Sequence, residues 1–177
     1  MDLDKAIKDR RSIRRFSSQE VTEEQVRELL EAGTLAPSAK NRQHWQFYIL
    51  RGEKKDRAAD ITQDAGEKAE GAGSSVKGTC RAMREAPVLI LVAQRIDSGF
   101  VRSDLLSIGA CVENICLKAT ELGLGSLWIC DIDVAEKELQ EEFSIDSPII
   151  CAVSVGYAAE APSARPRLGV DEVTKLL

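Results

Sequence analysis

The segment from Asp104 to Leu122 is apolar on two sides of one helix, and this restricts the fold more than any other feature of the chain. Leu105, Ile108, Val112, Ile115, Ala119 and Leu122 recur at three- and four-residue intervals along one side, while Leu106, Ala110 and Leu117 form a second. Such a helix needs cover on both sides. One cover is the chain's own sheet. The other is either the remaining core of a monomer or a second subunit, which Gly109, Ala110 and Cys111 would let approach closely. The pattern favours a homodimer.

The remaining segments supply a sheet and its other helices. Thr22-Glu23-Glu24-Gln25 is a capping box, flanked by the hydrophobic staple Val21 and Val26, so a helix starts there. Val26, Leu29, Leu30 and Gly33 hold its inner face, and it must end before Pro37. Residues 37–44 have no apolar period and are rich in donors, which predicts an ordered loop. Trp45 to Leu50 reads as a strand, Glu53 to Glu70 as an exposed helix, and Gly71 to Ser75 as a mobile linker. Pro87 to Ala93, almost wholly apolar, is predicted to be a central strand. Gly123 is placed for a left-handed helix C-cap, followed by a strand from Leu127 to Asp131. Asp133 with Glu136 predicts a second capping box opening a helix through Phe143; a buried strand, Ile149 to Gly156, and a last turn at Asp171 to Leu177 follow. This order gives an α+β or α/β sandwich with about four strands, in a single domain over residues 1–177.

The chain also carries a concentrated basic element, Arg10-Arg11-Ser12-Ile13-Arg14-Arg15-Phe16. Leu3, Ala6 and Ile7 mark a short amphipathic helix with a buried face, and Arg10 falls on that face. If the backbone turns extended after Arg11, Ser12 and Arg14 share one side and Ile13 and Arg15 the other. A hydroxyl beside a planar fork suits a phosphate, although basic runs near a terminus are more often simply solvated. Acidic residues outnumber basic ones, 29 to 24, for a formal net charge of -5, so the broad positive field that a polyanion requires is missing. A single phosphate on a small molecule fits better than nucleic acid.

Five cysteines, Cys80, Cys111, Cys116, Cys130 and Cys151, form no C-x-x-C pair and mostly sit in apolar runs, as reduced core residues of a cytoplasmic protein do. One histidine, His44, leaves almost no material for a zinc site, and no metal is expected. No stretch approaches the roughly 20 apolar residues of a membrane span, and the charged first twenty residues contain no signal-peptide core. No membrane partner is expected.

Three separated segments together resemble the FMN-dependent nitroreductase family. Residues 10–16 are similar to its R-x-S-x-[RK]-x-F element, and residues 37–47 to its P-S-x-x-N-x-Q-P-W-x-F loop. Residues 114–128 resemble its N-x-x-L-x-A-x-x-L-G-L-G-S-x-W helix and strand, and Arg165-Pro166-Arg167 its basic C-terminal element. The resemblance implies a three-layer α/β/α sandwich with a mostly antiparallel sheet, and a homodimer with its long central helix at the interface and FMN bound between subunits. It assigns Arg10, Arg11, Ser12, Arg14, Arg165 and Arg167 to the phosphate and ribityl chain. Pro37, Ser38, Ala39 and Asn41 would reach the flavin, the first three from the partner subunit, and Ile129 and Cys130 would pass the ring system with a main-chain N–H near its N5. NADH or NADPH would donate a hydride, and a small-molecule acceptor such as a nitroaromatic or a quinone would take the reducing equivalents in a ping-pong cycle. No catalytic side chain is required.

The chain departs from that pattern at His44, which replaces a proline, and at Cys130-Asp131, where relatives often carry glycine. His44 reads as a partly exposed residue hydrogen-bonded within its loop, or else as an imidazole facing the flavin edge. The insertion that covers the substrate pocket in longer relatives is reduced to about residues 71–77. A flavin carrier or redox sensor without efficient turnover is the alternative function, and an interaction module built on residues 10–15 a third.

Overall fold

A computed structural model of the chain describes residues 2–69, 73–95, 99 and 101–177. Seven α-helices occur among the described residues: α1 (Leu3–Asp9), α2 (Glu23–Thr34), α3 (Glu53–Lys68), α4 (Gly73–Glu85), α5 (Val101–Glu121), α6 (Glu136–Phe143) and α7 (Val170–Val173). Four strands, β1 (Trp45–Leu50), β2 (Val88–Gln94), β3 (Gly125–Ile129) and β4 (Ile149–Gly156), form one antiparallel sheet in the order β1-β2-β4-β3.

Side chains alternate across the strands and so build a core on each face of the sheet. Ile90 and Val92 of β2 and Cys151, Val153 and Val155 of β4 meet α2 and α5 on one face. Leu89 and Leu91, Leu127 and Ile129, and Ala152 meet α3, α4 and α6 on the other. The result is the expected three-layer α+β sandwich. Strand β2 is buried along its whole length, which is why its sequence is apolar throughout instead of alternating.

The capping box forms as predicted: the Thr22 hydroxyl accepts from the Gln25 N–H at 3.1 Å and the Gln25 side chain accepts from the Thr22 N–H at 3.0 Å. Gly123 takes φ 74° and ends α5. At Gly33 the two inner helices touch, since a Cβ there would lie 2.9 Å from Ile115 and 3.1 Å from Cys111.

Several expectations are corrected. Gly73, Ser74 and Ser75 belong to α4 instead of a linker, and Gly71 and Ala72 lie outside the described residues. Helix α3 is not simply exposed, because Ala58, Ala59, Ile61 and Thr62 bury one face of it. The Asp133–Glu136 box does not form: residues 131–135 make a short 3-10 turn, and Glu136 Oε1 instead accepts from the Ile149 N–H at 3.0 Å. Leu3 and Ile7 on α1 are 67% and 54% exposed, so Ala6 alone buries that helix in a single chain. Leu105, expected on the inner side of α5, is exposed along with Leu106.

Candidate functional site

The arginine element takes its shape from one buried residue. After α1 the backbone becomes extended, Ile13 turns inward at 6% exposure, and its N–H donates to the Ser126 carbonyl of β3 at 2.9 Å. The two-residue period then points Ser12 and Arg14 outward. Farther on, Phe16 is buried, and main-chain bonds from Ser17 to Tyr157 and from Ala159 to Arg15 tie the segment to the chain leaving β4. This brings the N-terminal basic run beside the C-terminal tail.

Between them lies a cavity of about 540 Å3 lined by Arg10, Arg11, Ser12, Arg14, Arg165 and Arg167, with Lys8 and residues 162–164 completing the wall. Every residue predicted to hold a phosphate lines this one space. None of the lining residues carries a carboxylate. The cationic groups are not equivalent, however. Arg11 Nη1 donates to the carbonyls of Lys8 at 2.6 Å and Arg10 at 2.9 Å, so this guanidinium caps the C-terminal end of α1 and lends mainly its charge. Arg10 is steadied from behind by Glu113 of α5 at 3.5 Å, whereas the Arg14 guanidinium donates to the Ser12 carbonyl at 3.3 Å and pairs with no carboxylate among the described residues. Arg15 faces away and pairs with Glu85 at 3.0 Å, which makes it an anchor of the segment. A phosphate bearing about -1.5 to -2 charges complements this donor set.

The second predicted element, residues 37–44, lines no part of that cavity. Its backbone is unusual: Lys40, Asn41 and Gln43 have φ of 55°, 52° and 49°, while Arg42 between them is right-handed. Left-handed conformations in non-glycine residues cost on the order of 1 kcal/mol or more each, and cluster where a loop's shape is used. Polar contacts hold the loop. Asn41 N–H donates to the Ser38 carbonyl at 2.9 Å, Gln43 N–H to the Ser38 hydroxyl at 3.0 Å, and Ala39 N–H to the Ser107 hydroxyl of α5 at 3.3 Å.

Sequence reading missed the group beneath this loop. Asp104, fully buried in the first turn of α5, accepts from Arg42 Nη2 at 3.1 Å and, through its other oxygen, from Gln94 Nε2 of β2 at 3.2 Å. His44 is fully buried too, contrary to the partial exposure expected. Its Nε2 lies 2.7 Å from Asp104 Oδ1 and 2.9 Å from Arg42 Nε. A ring nitrogen holds either a hydrogen for Asp104 or a lone pair for Arg42, so it serves one of them at a time, and His44 Nδ1 is buried without a partner among the described residues. The signal for Asp104 was present: it precedes Ile108, Cys111 and Ile115 at helical spacing, on a face where an unpaired carboxylate would not survive.

The third element is the end of β3. Ile129 is buried, Cys130 is exposed, and the Asp131 carboxylate accepts from the Thr79 hydroxyl at 3.1 Å. Trp128, 39% exposed, lies on the α5 side of the sheet close to Gly109. The other four cysteines are buried, which pushes Cys80 and Cys116 up to about 11 and Cys111 and Cys151 up to about 12. Burial, then Asp131 and Asp133, also raises Cys130. Among the described residues no group of three or more His, Cys, Asp or Glu could hold a metal ion, and no helix is long and apolar enough to cross a membrane.

The nitroreductase family model matches residues 7–157 of the chain. A Methanothermobacter thermautotrophicus protein with the provisional name NADH dehydrogenase/NAD(P)H nitroreductase is 30% identical over 181 residues, covering 98% of this chain and 86% of the relative. The crystal structure of a provisionally named nitroreductase from Desulfovibrio desulfuricans, in complex with FMN, matches with a TM-score of 0.81 at 29% identity, over 98% of this chain and 95% of that one. An FMN and NADPH-dependent nitroreductase from Sphigopyxis sp. strain HMH, 19% identical, shares the fold with a TM-score of 0.83 over 100% of this chain and 99% of its own.

Proposed function

The chain belongs to the nitroreductase family, and from that premise we propose that it is an FMN-dependent oxidoreductase using NADH or NADPH. It passes reducing equivalents to a small organic acceptor, a nitroaromatic or a quinone, in a ping-pong cycle. The observation that carries this reading is the carboxylate-free cavity lined by five arginines and Ser12. Its size and donor set fit a phosphate monoester attached to a larger group.

When bound, FMN supplies the hydride chemistry, and the protein supplies orientation and electrostatics. Arg10, Arg14, Arg165 and Arg167 offer the phosphate their forks and Ser12 its hydroxyl, while Arg11 adds charge from its cap on α1. Pro37, Ser38, Ala39 and Asn41 would hold the flavin ring, the first three from the partner subunit, together with the main chain at Ile129 and Cys130. No side chain acts as a catalytic acid or base in this scheme.

The surface that a single chain leaves uncovered supports a homodimer. Leu3 and Ile7 of α1, Leu105 and Leu106 of α5, and Leu168 and Val170 of the tail are exposed large apolar side chains. Helix α1 packs against α5, and large apolar side chains left uncovered on adjacent helices support an interface there. A second copy covering α5 would complete the helix's apolar outer side.

The test is the visible spectrum of desalted protein loaded with FMN, recorded anaerobically before and after NADPH and NADH. Retained flavin bands that bleach support the oxidoreductase, and retained bands that do not bleach make the protein a carrier or sensor. Arg10→Ala with Arg14→Ala removes two charge-assisted contacts worth about 1.5–3 kcal/mol each, which weakens FMN binding by roughly a hundredfold or more while the fold persists. FMN retained at unchanged affinity would overturn the phosphate assignment.

A further inference from the structure

We propose that Asp104 is a positioning residue for the cofactor: through Arg42 and His44 it holds residues 38–43 in the left-handed shape that meets the flavin. The inference rests on the FMN reading above and adds to it the residue that sets the loop's geometry.

The loop's internal hydrogen bonds, from Asn41 and Gln43 to Ser38, shape it but do not tie it to the rest of the chain. Pro37, Lys40, Asn41 and Gln43 are exposed, so no apolar anchor pulls the segment down. Three strained backbone positions nonetheless surround Arg42. A chain of this kind relaxes unless something outside it fixes the strained residues. Arg42 is the link, because it lies between Asn41 and Gln43 and its guanidinium points down onto a fully buried carboxylate. Fixing Arg42 fixes both neighbours.

Asp104 is well built for that task. Its Oδ1 accepts from Arg42 Nη2 at 3.1 Å and the Ser103 hydroxyl at 3.4 Å, with His44 Nε2 2.7 Å away and able to donate to it only when it is not accepting from Arg42 Nε, and its Oδ2 accepts from Gln94 Nε2 at 3.2 Å. Gln94 ends the central strand, so the carboxylate is referenced to the most buried part of the sheet. One turn along α5, Ser107 accepts from Ala39 N–H at 3.3 Å and donates to the Ser103 carbonyl at 2.7 Å. Asp104 and Ser107, three residues apart on one helix face, therefore grip the loop at both ends of residues 39–42. A buried carboxylate is retained only where its partners satisfy it, and here two of those partners belong to the loop.

The experiment compares FMN dissociation constants and native-state amide exchange for wild type, Asp104→Asn, Arg42→Gln and the double variant, with Leu29→Ala as a control. Leu29 is a fully buried apolar residue of α2 that takes no part in the polar clamp, so its loss lowers the melting temperature while leaving the clamp's hydrogen-bonding groups in place. We expect either single variant to raise the FMN dissociation constant at least tenfold, and the double variant to do little more, because both break the same link. In flavin-free protein the amides of Asn41 and Gln43 should exchange at least tenfold faster, while Leu29→Ala keeps the FMN constant within twofold.

The proposal fails if Asp104→Asn and Arg42→Gln bind FMN within twofold of wild type, or if Leu29→Ala weakens binding as much as they do. Should Asp104→Asn not fold, Arg42→Gln alone decides by the same criteria, since Arg42 is partly exposed and outside the core. Arg10→Ala with Arg14→Ala separates the two readings, as it should lose FMN with exchange at Asn41 and Gln43 unchanged. A wild-type protein that binds no FMN removes the functional reading, and the cofactor role of Asp104 falls with it.

Discussion

Gly125→Ala adds one methyl group where β3 meets the extended arginine segment. A Cβ built there lies 2.8 Å from Ile13 Cγ1, 3.0 Å from its Cβ and 3.1 Å from its Cγ2. Those atoms are the branch point of Ile13, not a free end, so no rotamer change clears them. Ile13 is buried and its N–H is bonded to the Ser126 carbonyl, which means that the main chain of residues 12–14 must slide. Overpacking of this sort costs about 1–3 kcal/mol. Gly125 has no positive φ, so alanine also removes unfolded-state freedom, a gain of about 0.4–1 kcal/mol. The net loss is then about 1–2 kcal/mol, or roughly 2–8 °C in melting temperature for a chain of this size. Because Ser12 and Arg14 flank Ile13, the shift also disturbs the phosphate cradle, and FMN affinity falls with stability. The assay is urea unfolding by circular dichroism at one protein concentration for Gly125→Ala, Ile13→Ala and the double variant. Ile13→Ala removes two of the three clashing atoms, so the double variant should be more stable than additivity predicts, by about 1 kcal/mol. Additivity within about 0.3 kcal/mol, or a Gly125→Ala protein more stable than wild type, would refute the steric argument.

Thr22→Ala removes one half of the capping box and should lower the unfolding free energy by about 1 kcal/mol, with Thr22→Ser close to wild type in the same urea assay. A thiol reagent applied to flavin-free native protein should modify one cysteine per chain quickly, Cys130, and the other four only after denaturation; FMN should slow the first reaction if the ring system borders that residue. The four buried thiols titrate at about 11 to 12 when folded but near pH 8.5 when unfolded, so the unfolded chain releases these protons first. Stability is therefore unaffected by them below about pH 8.5 and falls above it, by up to about 1.4 kcal/mol per pH unit for each thiol. Urea midpoints at pH 8 and pH 10 should show a shallower decline for Cys151→Ala than for wild type, and equal declines would count against the burial argument.

Local chemistry made much of the fold legible. A capping box, an all-apolar strand and a glycine after a helix each have few structural solutions, and Thr22, residues 88–94 and Gly123 adopt the expected ones. The gathering of Arg10, Arg11, Ser12, Arg14, Arg165 and Arg167 around one cavity was legible only as a proposal, from the chemistry that guanidinium groups and a hydroxyl share. Helix α4 was missed because Gly73, Gly78 and two serines mask a real period at Val76, Cys80 and Met83, all buried against the sheet. Tertiary packing overrode that low propensity. His44 was misjudged and Asp104 passed over: helical spacing puts Asp104 on the inner face of α5, but its partners, Arg42 and Gln94, reach it from two other elements that no local pattern identifies. Leu3, Ile7 and Leu105 look like core residues in sequence, but in one chain nothing covers them.

The 540 Å3 cavity draws its walls from the two ends of the chain, residues 7–14 and 162–167, whereas the sheet is complete at Gly156. Any ligand that bridges these walls closes the roughly 150 residues between them into one loop, as a reversible cross-link does, and holds the two segments together. The same arrangement makes ligand capture a late event in synthesis. A chain that has emerged as far as β4 can assemble its sheet, yet this cavity has only one of its walls until Arg165 and Arg167 follow, so a ligand held there would depend on segments from both sides of the sheet sequence.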